Sequence, residues 1–67
     1  IFIKDFILIK DYSDMYIYQK VINNNLFYEI EIDKDTNKYT FLKYKRINPE
    51  DDFKEYKTNE LIFIKHV

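Results

Sequence analysis

This chain contains no cysteine, glycine, alanine or tryptophan, and it has a single proline. Without cysteine there is no disulfide framework, no thiolate zinc site and no thiol chemistry. Without glycine the usual phosphate-binding loops are excluded, because they need a close approach of the backbone to the phosphate. We therefore expect no nucleotide site of the common kinds and no bound cofactor.

The chain has 67 residues, which is enough for one small hydrophobic core, and 19% of them are aromatic. A domain of this size buries only roughly 60% of its unfolded surface, so its stability is marginal. Abundant Ile, Lys, Asn, Asp, Tyr and Phe are typical of an AT-rich genome, such as a phage or a low-GC bacterium. Because the chain begins at Ile1 rather than methionine, we expect a single domain, 1–67, that lacks its true N-terminus or was excised from a longer chain.

Charge and hydropathy argue against a membrane protein. The formal net charge is −1, so no overall field attracts the chain to nucleic acid or lipid. The most apolar segment, Ile1–Lys10, carries three charges and is too short to span a bilayer. Small secreted domains usually depend on disulfides, which favours the cytoplasm, although the sequence leaves the compartment open.

The apolar pattern predicts a mainly β fold with five strands in an antiparallel meander. The strands are expected at Ile1–Lys10 (where a helix remains an alternative), Met15–Ile22, Leu26–Asp33, Tyr39–Ile47 and Leu61–His66. This order fits either an SH3-like barrel or an open sheet.

One short helix is expected near 49–58, before the last strand. Asn48 is a capping residue, Pro49 suits the first helical position, and the acidic residues that follow favour a helix N-terminus.

The register of the first hairpin is predicted from which side chains it would bury together. A two-residue loop at Asn23-Asn24 sets Ile17 opposite Ile30, whereas a three-residue loop sets Tyr16, Tyr18 and Lys20 against the apolar row of the next strand. The first register is preferred. Pairing Asp33 with Tyr39 then extends one apolar face, which holds Met15, Ile17, Val21, Leu26, Tyr28, Ile30, Ile32, Thr40, Leu42 and Tyr44.

Catalytic and metal-binding patterns are weak. The single histidine, His66, and the single serine, Ser13, lie near a terminus and in a turn, so no triad is expected and the chain is interpreted as non-enzymatic. The run from Asp33 to Asn37 alternates oxygen ligands but lacks the glycine of a calcium loop. It is interpreted as a hairpin turn with Asn37 in the left-handed conformation.

The face opposite the predicted core combines aromatic residues with charges of both signs, which is typical of protein interfaces. We therefore expect a protein-binding module: a subunit, an inhibitor or an immunity-type protein, with a homodimer through a strand edge as a further option. The alternative is that another part of the chain folds over this face, which would then belong to the core. The expected contact residues are Tyr16, Tyr18, Lys20, Phe27, Tyr39, Phe41, Lys43 and Lys45.

Single-stranded nucleic acid is the alternative partner. Lysines interleaved with aromatic residues over 38–46 suit base stacking and phosphate contact. In the preferred register, however, Glu29, Glu31 and Asp33 share the face and would neutralise these lysines, which makes nucleic acid the less favoured partner.

Overall fold

The computed structural model describes residues 5–58, and five strands form one sheet in that part of the chain. The strands are β1 (Ile7–Asp11), β2 (Met15–Asn23), β3 (Leu26–Asp33), β4 (Tyr39–Lys45) and β5 (Lys54–Lys57). They lie in the order β1-β2-β3-β4-β5, and every neighbouring pair is antiparallel.

The prediction of a mainly β antiparallel meander is confirmed, and the described strands form the open sheet rather than a barrel. β-Branched and aromatic residues dominate β2, β3 and β4, as expected for strands. Of the predicted first strand, residues 7–10 belong to β1, which extends to Asp11. Its first four residues and the predicted strand Leu61–His66 lie outside the described residues.

The prediction of a helix near 49–58 is wrong. The backbone turns at Asn48, whose carbonyl accepts a hydrogen bond from the Asp51 amide at 3.0 Å, and the chain then forms β5. The Asp51 carboxylate in turn accepts the Asn48 amide at 3.1 Å. The capping residues therefore close a turn, because hydrogen bonds to β4 outweigh a weak local preference for helix.

The preferred register of the β2–β3 hairpin is also wrong. Tyr18 lies opposite Ile30, because Ile22 forms a β-bulge and the two-residue turn moves to Asn24-Asn25. Asn23 closes this turn by accepting the Asn25 amide on its side-chain oxygen at 2.8 Å. Two-residue hairpin turns match the twist of the strands best when their residues have positive φ angles, and Asn24 and Asn25 do not. The bulge at Ile22 adds local twist next to this turn.

The β3–β4 pairing differs from the expected one by one residue. Ile32, not Asp33, lies opposite Tyr39, so Phe41 is the neighbour of Ile30. The predicted turn is confirmed in its main feature, since Asn37 has a φ of 56°. The Asp33 amide donates to the Lys38 carbonyl at 3.0 Å, and its carboxylate accepts two turn amides.

These registers divide the strand residues between two faces, since directly paired residues project to the same side. Face 1 carries the most deeply buried cluster: Phe6, Tyr28 and Ile30, with Tyr18, Ile32 and Phe41 packed against it. Face 2 carries Ile17, Gln19, Val21, Phe27, Glu29, Glu31, Thr40, Leu42, Tyr44, Glu55 and Lys57. The single apolar face expected from the sequence is therefore split between both sides.

Candidate binding surface

The residues predicted to contact a partner do not form one mixed-charge surface. Phe27 lies on face 2, whereas the other members of the predicted set lie on face 1 with the core cluster. Among those, Tyr39 and Lys45 are exposed. The remaining face 1 members of the set are half-buried: Tyr16, Tyr18, Lys20, Phe41 and Lys43.

The observed register also separates the charges that were expected to neutralise one another. Glu29 and Glu31 lie on face 2, while Lys43 and Lys45 project from face 1. Strand β5 adds Lys54, which lies directly opposite Lys45. Like charges directly opposite one another are unfavourable in a sheet, so positive charge is concentrated at this point of face 1.

A depression of about 550 Å³ lies where β4 leaves the sheet and β5 enters it, and we call it the loop depression. Ile47 is 84% exposed at this site and Tyr56 is 49% exposed. Charges of both signs surround these two side chains. The sequence predicted this combination of apolar and charged residues for a whole face of the sheet. The lining residues are Lys45, Arg46, Ile47, Asp51, Asp52, Lys54 and Tyr56.

Arg46 fixes the position of the loop that lines the depression. Its guanidinium donates to the Asn24 carbonyl at 2.6 Å and 3.0 Å, which ties the β4–β5 loop to the β2–β3 turn. The same group lies 4.3 Å from the ring centre of Phe53 and donates to the Asp51 carbonyl at 3.4 Å. With these partners, Arg46 positions the loop, and its N–H donors are largely occupied.

An aromatic cluster on face 2 supports the same loop from the other side. Phe27 stacks on Tyr44 with ring centres 4.6 Å apart, and Phe53 packs edge-on against Phe27 at 4.9 Å. The Tyr44 hydroxyl donates to Glu55 at 2.8 Å and also contacts the carboxylate of Glu29. Burial and these two carboxylates raise the pKa of Tyr44, and burial raises the pKa of Glu29.

The residues considered for catalysis and metal binding from the sequence are only partly within the described range, 5–58. Over residues 5–58 no group of three His, Asp or Glu side chains could hold a metal ion, and no helix is long and apolar enough to cross a membrane. Ser13 is exposed in the turn between β1 and β2. His66 lies outside the described residues.

No protein-family model, no curated protein and no solved structure matches this chain. Sequence reasoning missed Lys54 and Tyr56, because both fell within the predicted helix. The signal that could have placed them is the strand preference of Tyr56, together with a lysine at each end of the segment, Lys54 and Lys57, which suits an edge strand.

Proposed function

We propose that this chain is a non-enzymatic module that binds another protein, and that the loop depression is its contact site. The observation that supports this proposal is the 84% exposure of Ile47 beside the half-exposed ring of Tyr56. Apolar and aromatic anchors within a polar rim are characteristic of protein interfaces. Of the contact residues expected from sequence, Lys45 belongs to this site.

The loop that forms the site is held before any partner arrives. Arg46 connects it to the Asn24 carbonyl, and the ring of Phe53 packs against Phe27. A preformed loop loses less conformational entropy on association than a free one, which favours tighter binding. The proposed contact is therefore centred on Ile47 and Tyr56, with Arg46 as a positioning residue.

Affinity capture from nuclease-treated lysate of the source cells tests this function. We expect Ile47→Asp and Tyr56→Ala each to weaken capture of the same protein by about tenfold or more, as for an interface hot spot. The matched control is Val21→Asp, because Val21 is 65% exposed on face 2 and does not line the loop depression. If wild type and Ile47→Asp capture the same proteins equally well, the proposal is wrong.

A second candidate function, binding of single-stranded nucleic acid, is favoured by the charge separation between the two faces. Tyr39 and Tyr56 are 41% and 49% exposed on face 1, and Lys45 and Lys54 are exposed beside Tyr56. The acids of β3, which argued against this function in the predicted register, lie on the opposite face. Bases can stack on the tyrosines while the lysines contact phosphates.

A salt titration with a fluorescent oligonucleotide separates this second function from the first. Each phosphate contact on a single strand contributes roughly −0.7 to the slope of log affinity against log salt concentration. If one phosphate each is contacted by Lys43, Lys45 and Lys54, the slope should be about −2. Lys54→Gln should reduce that slope by about 0.7, whereas Lys10→Gln, on face 2, should leave it unchanged. Absence of binding at low salt excludes this function and leaves the protein-binding proposal standing.

A further inference from the structure

We propose that the loop depression binds an acidic segment of the partner protein, whose carboxylates contact Lys45 and Lys54. This inference rests on the proposed function and adds the chemistry of the partner. Its basis is the arrangement of charge where β4 and β5 pair. Lys45 lies directly opposite Lys54, and in the next row of the same face Lys43 lies directly opposite Tyr56. Three lysines and one exposed aromatic ring therefore form a compact group on face 1.

The two facing lysines lack a counterion in the part of the chain that the structure describes. Lys20, by comparison, lies 3.8 Å from a carboxylate oxygen of Asp5. Neither Lys45 nor Lys54 forms an ion pair within residues 5–58. The acid next to them on β5, Glu55, projects to face 2. Because like charges directly opposite one another are unfavourable, a carboxylate that lies between the two lysines relieves their repulsion.

The positive region extends beyond the loop depression. A second depression of about 400 Å³ adjoins it and shares Lys45 and Tyr56 with it. Three lysines and no acidic residue line this second depression: Lys43, Lys45, Tyr56, Lys57 and Thr58. The chain as a whole has a net charge of −1, so the positive charge is a local property of this surface. An extended acidic segment can lie across both depressions and contact lysines in each.

The loop end of this surface favours a protein segment over a phosphate backbone. Ile47 is 84% exposed there, and Asp51 and Asp52 line the same depression, so a uniformly charged polyanion meets an apolar side chain and two carboxylates. Bidentate recognition of phosphate uses arginine. The chain has one arginine, Arg46, and its N–H donors are largely occupied. A peptide can place acids at the lysines and an apolar side chain at Ile47.

A nuclear magnetic resonance titration of the isotope-labelled chain with synthetic peptides tests this inference. The probe is a short peptide in which glutamates flank a leucine–phenylalanine pair, and its matched control has glutamines in their place. We expect the glutamate peptide to shift the amides of Lys45, Lys54 and Tyr56. It should bind about tenfold more tightly than the glutamine peptide, and added salt should reduce the difference. Equal binding of the two peptides, or no binding of either at millimolar concentration, overturns the proposal.

Charge reversal supplies the second arm of the test. Lys54→Glu places opposite charges across the β4–β5 pair, so it should keep or raise the melting temperature while it weakens binding of the glutamate peptide by about tenfold. The control is Lys38→Glu, an exposed site roughly 20 Å from Lys45 along the chain and beyond the Debye length of about 8 Å. A folded Lys54→Glu variant that binds the glutamate peptide like wild type overturns the proposal. The comparison of the two peptides on wild type decides the matter if Lys54→Glu does not fold.

The outcomes separate this inference from the proposed function. If Ile47→Asp abolishes capture of the partner while Lys54→Glu and salt leave capture unchanged, the protein-binding function stands and the acidic segment is excluded. If the glutamate peptide binds as expected but Ile47→Asp captures the same proteins as wild type, the proposed function fails instead. An oligonucleotide that displaces the peptide and binds more tightly assigns the lysines to nucleic acid. Shifts of the same amides with chain concentration alone assign them to a second copy, and either result overturns the proposal.

Discussion

The hydroxyl of Tyr44 donates a 2.8 Å hydrogen bond to Oε1 of Glu55, its direct neighbour across the β4–β5 pair. The ring of Tyr44 stacks on Phe27 of β3, so one side chain connects three strands. Because β5 is only four residues long, this contact contributes to holding the last described strand in the sheet. Loss of the hydroxyl should therefore weaken the β5 side of the molecule.

Tyr44→Phe should lower the free energy of unfolding by about 1 kcal/mol, the typical net value of one hydrogen bond. The ring and its stacking on Phe27 are retained, which isolates the hydroxyl. Urea denaturation provides the measurement. Tyr12→Phe serves as the control, since Tyr12 is an exposed tyrosine outside this cluster, and equal stability losses in the two variants would contradict the assignment.

The pH dependence of stability should contain a contribution from Glu29. Burial disfavours the charged form and raises its folded-state pKa above the ordinary value of 4.5. Between the ordinary and the folded-state pKa, the folded state holds more protons than the unfolded state. This contribution is therefore complete below pH 4.5 and is lost as the pH rises through the folded-state pKa.

Glu29→Gln removes the titrating group and keeps an acceptor near Tyr44. We expect the variant to lose less stability than wild type between pH 4 and pH 7, as measured by thermal unfolding at several pH values. A parallel decline in both proteins would show that Glu29 does not cause it.

Asp33 should stabilise the β3–β4 hairpin. Its carboxylate accepts the amides of Asp35 at 2.8 Å and Thr36 at 3.1 Å, and these hydrogen bonds lower its pKa. Asp33→Ala should lower the melting temperature, whereas Asp35→Ala, in the same exposed turn, should change it little. In wild type this contribution is present above pH 3.8 and is lost as the pH falls through the lowered pKa.

Ile30 is the most deeply buried side chain of the core cluster, with an exposure of 0%. Ile30→Ala should cost about 2–5 kcal/mol through lost transfer energy and the cavity that remains. That is a large part of the stability of so small a domain, and the variant should be largely unfolded at room temperature. Ile47→Ala, at an exposed position, should unfold like wild type in the same denaturation experiment.

The sequence by itself determined the three central strands and the position of the β3–β4 turn. Alternating β-branched and aromatic residues predicted β3, β4 and all but the last residue of β2, and Asn37 was correctly assigned a left-handed conformation. These properties are local, since they depend on backbone preferences and on the period of two along a strand. No distant contact is needed to produce them.

Only the tertiary structure decided the register, and with it the composition of each face. Both alternating sets of β2 are apolar enough to be buried, so Ile17 and Tyr18 compete for the core with little difference in transfer energy. The bulge at Ile22 resolves that competition in favour of Tyr18. The one-residue difference in the β3–β4 pairing separately places Glu29 on the face opposite to the lysines of β4. The β5 strand depended on tertiary contacts in the same way, because four residues become a strand only when β4 supplies their hydrogen bonds.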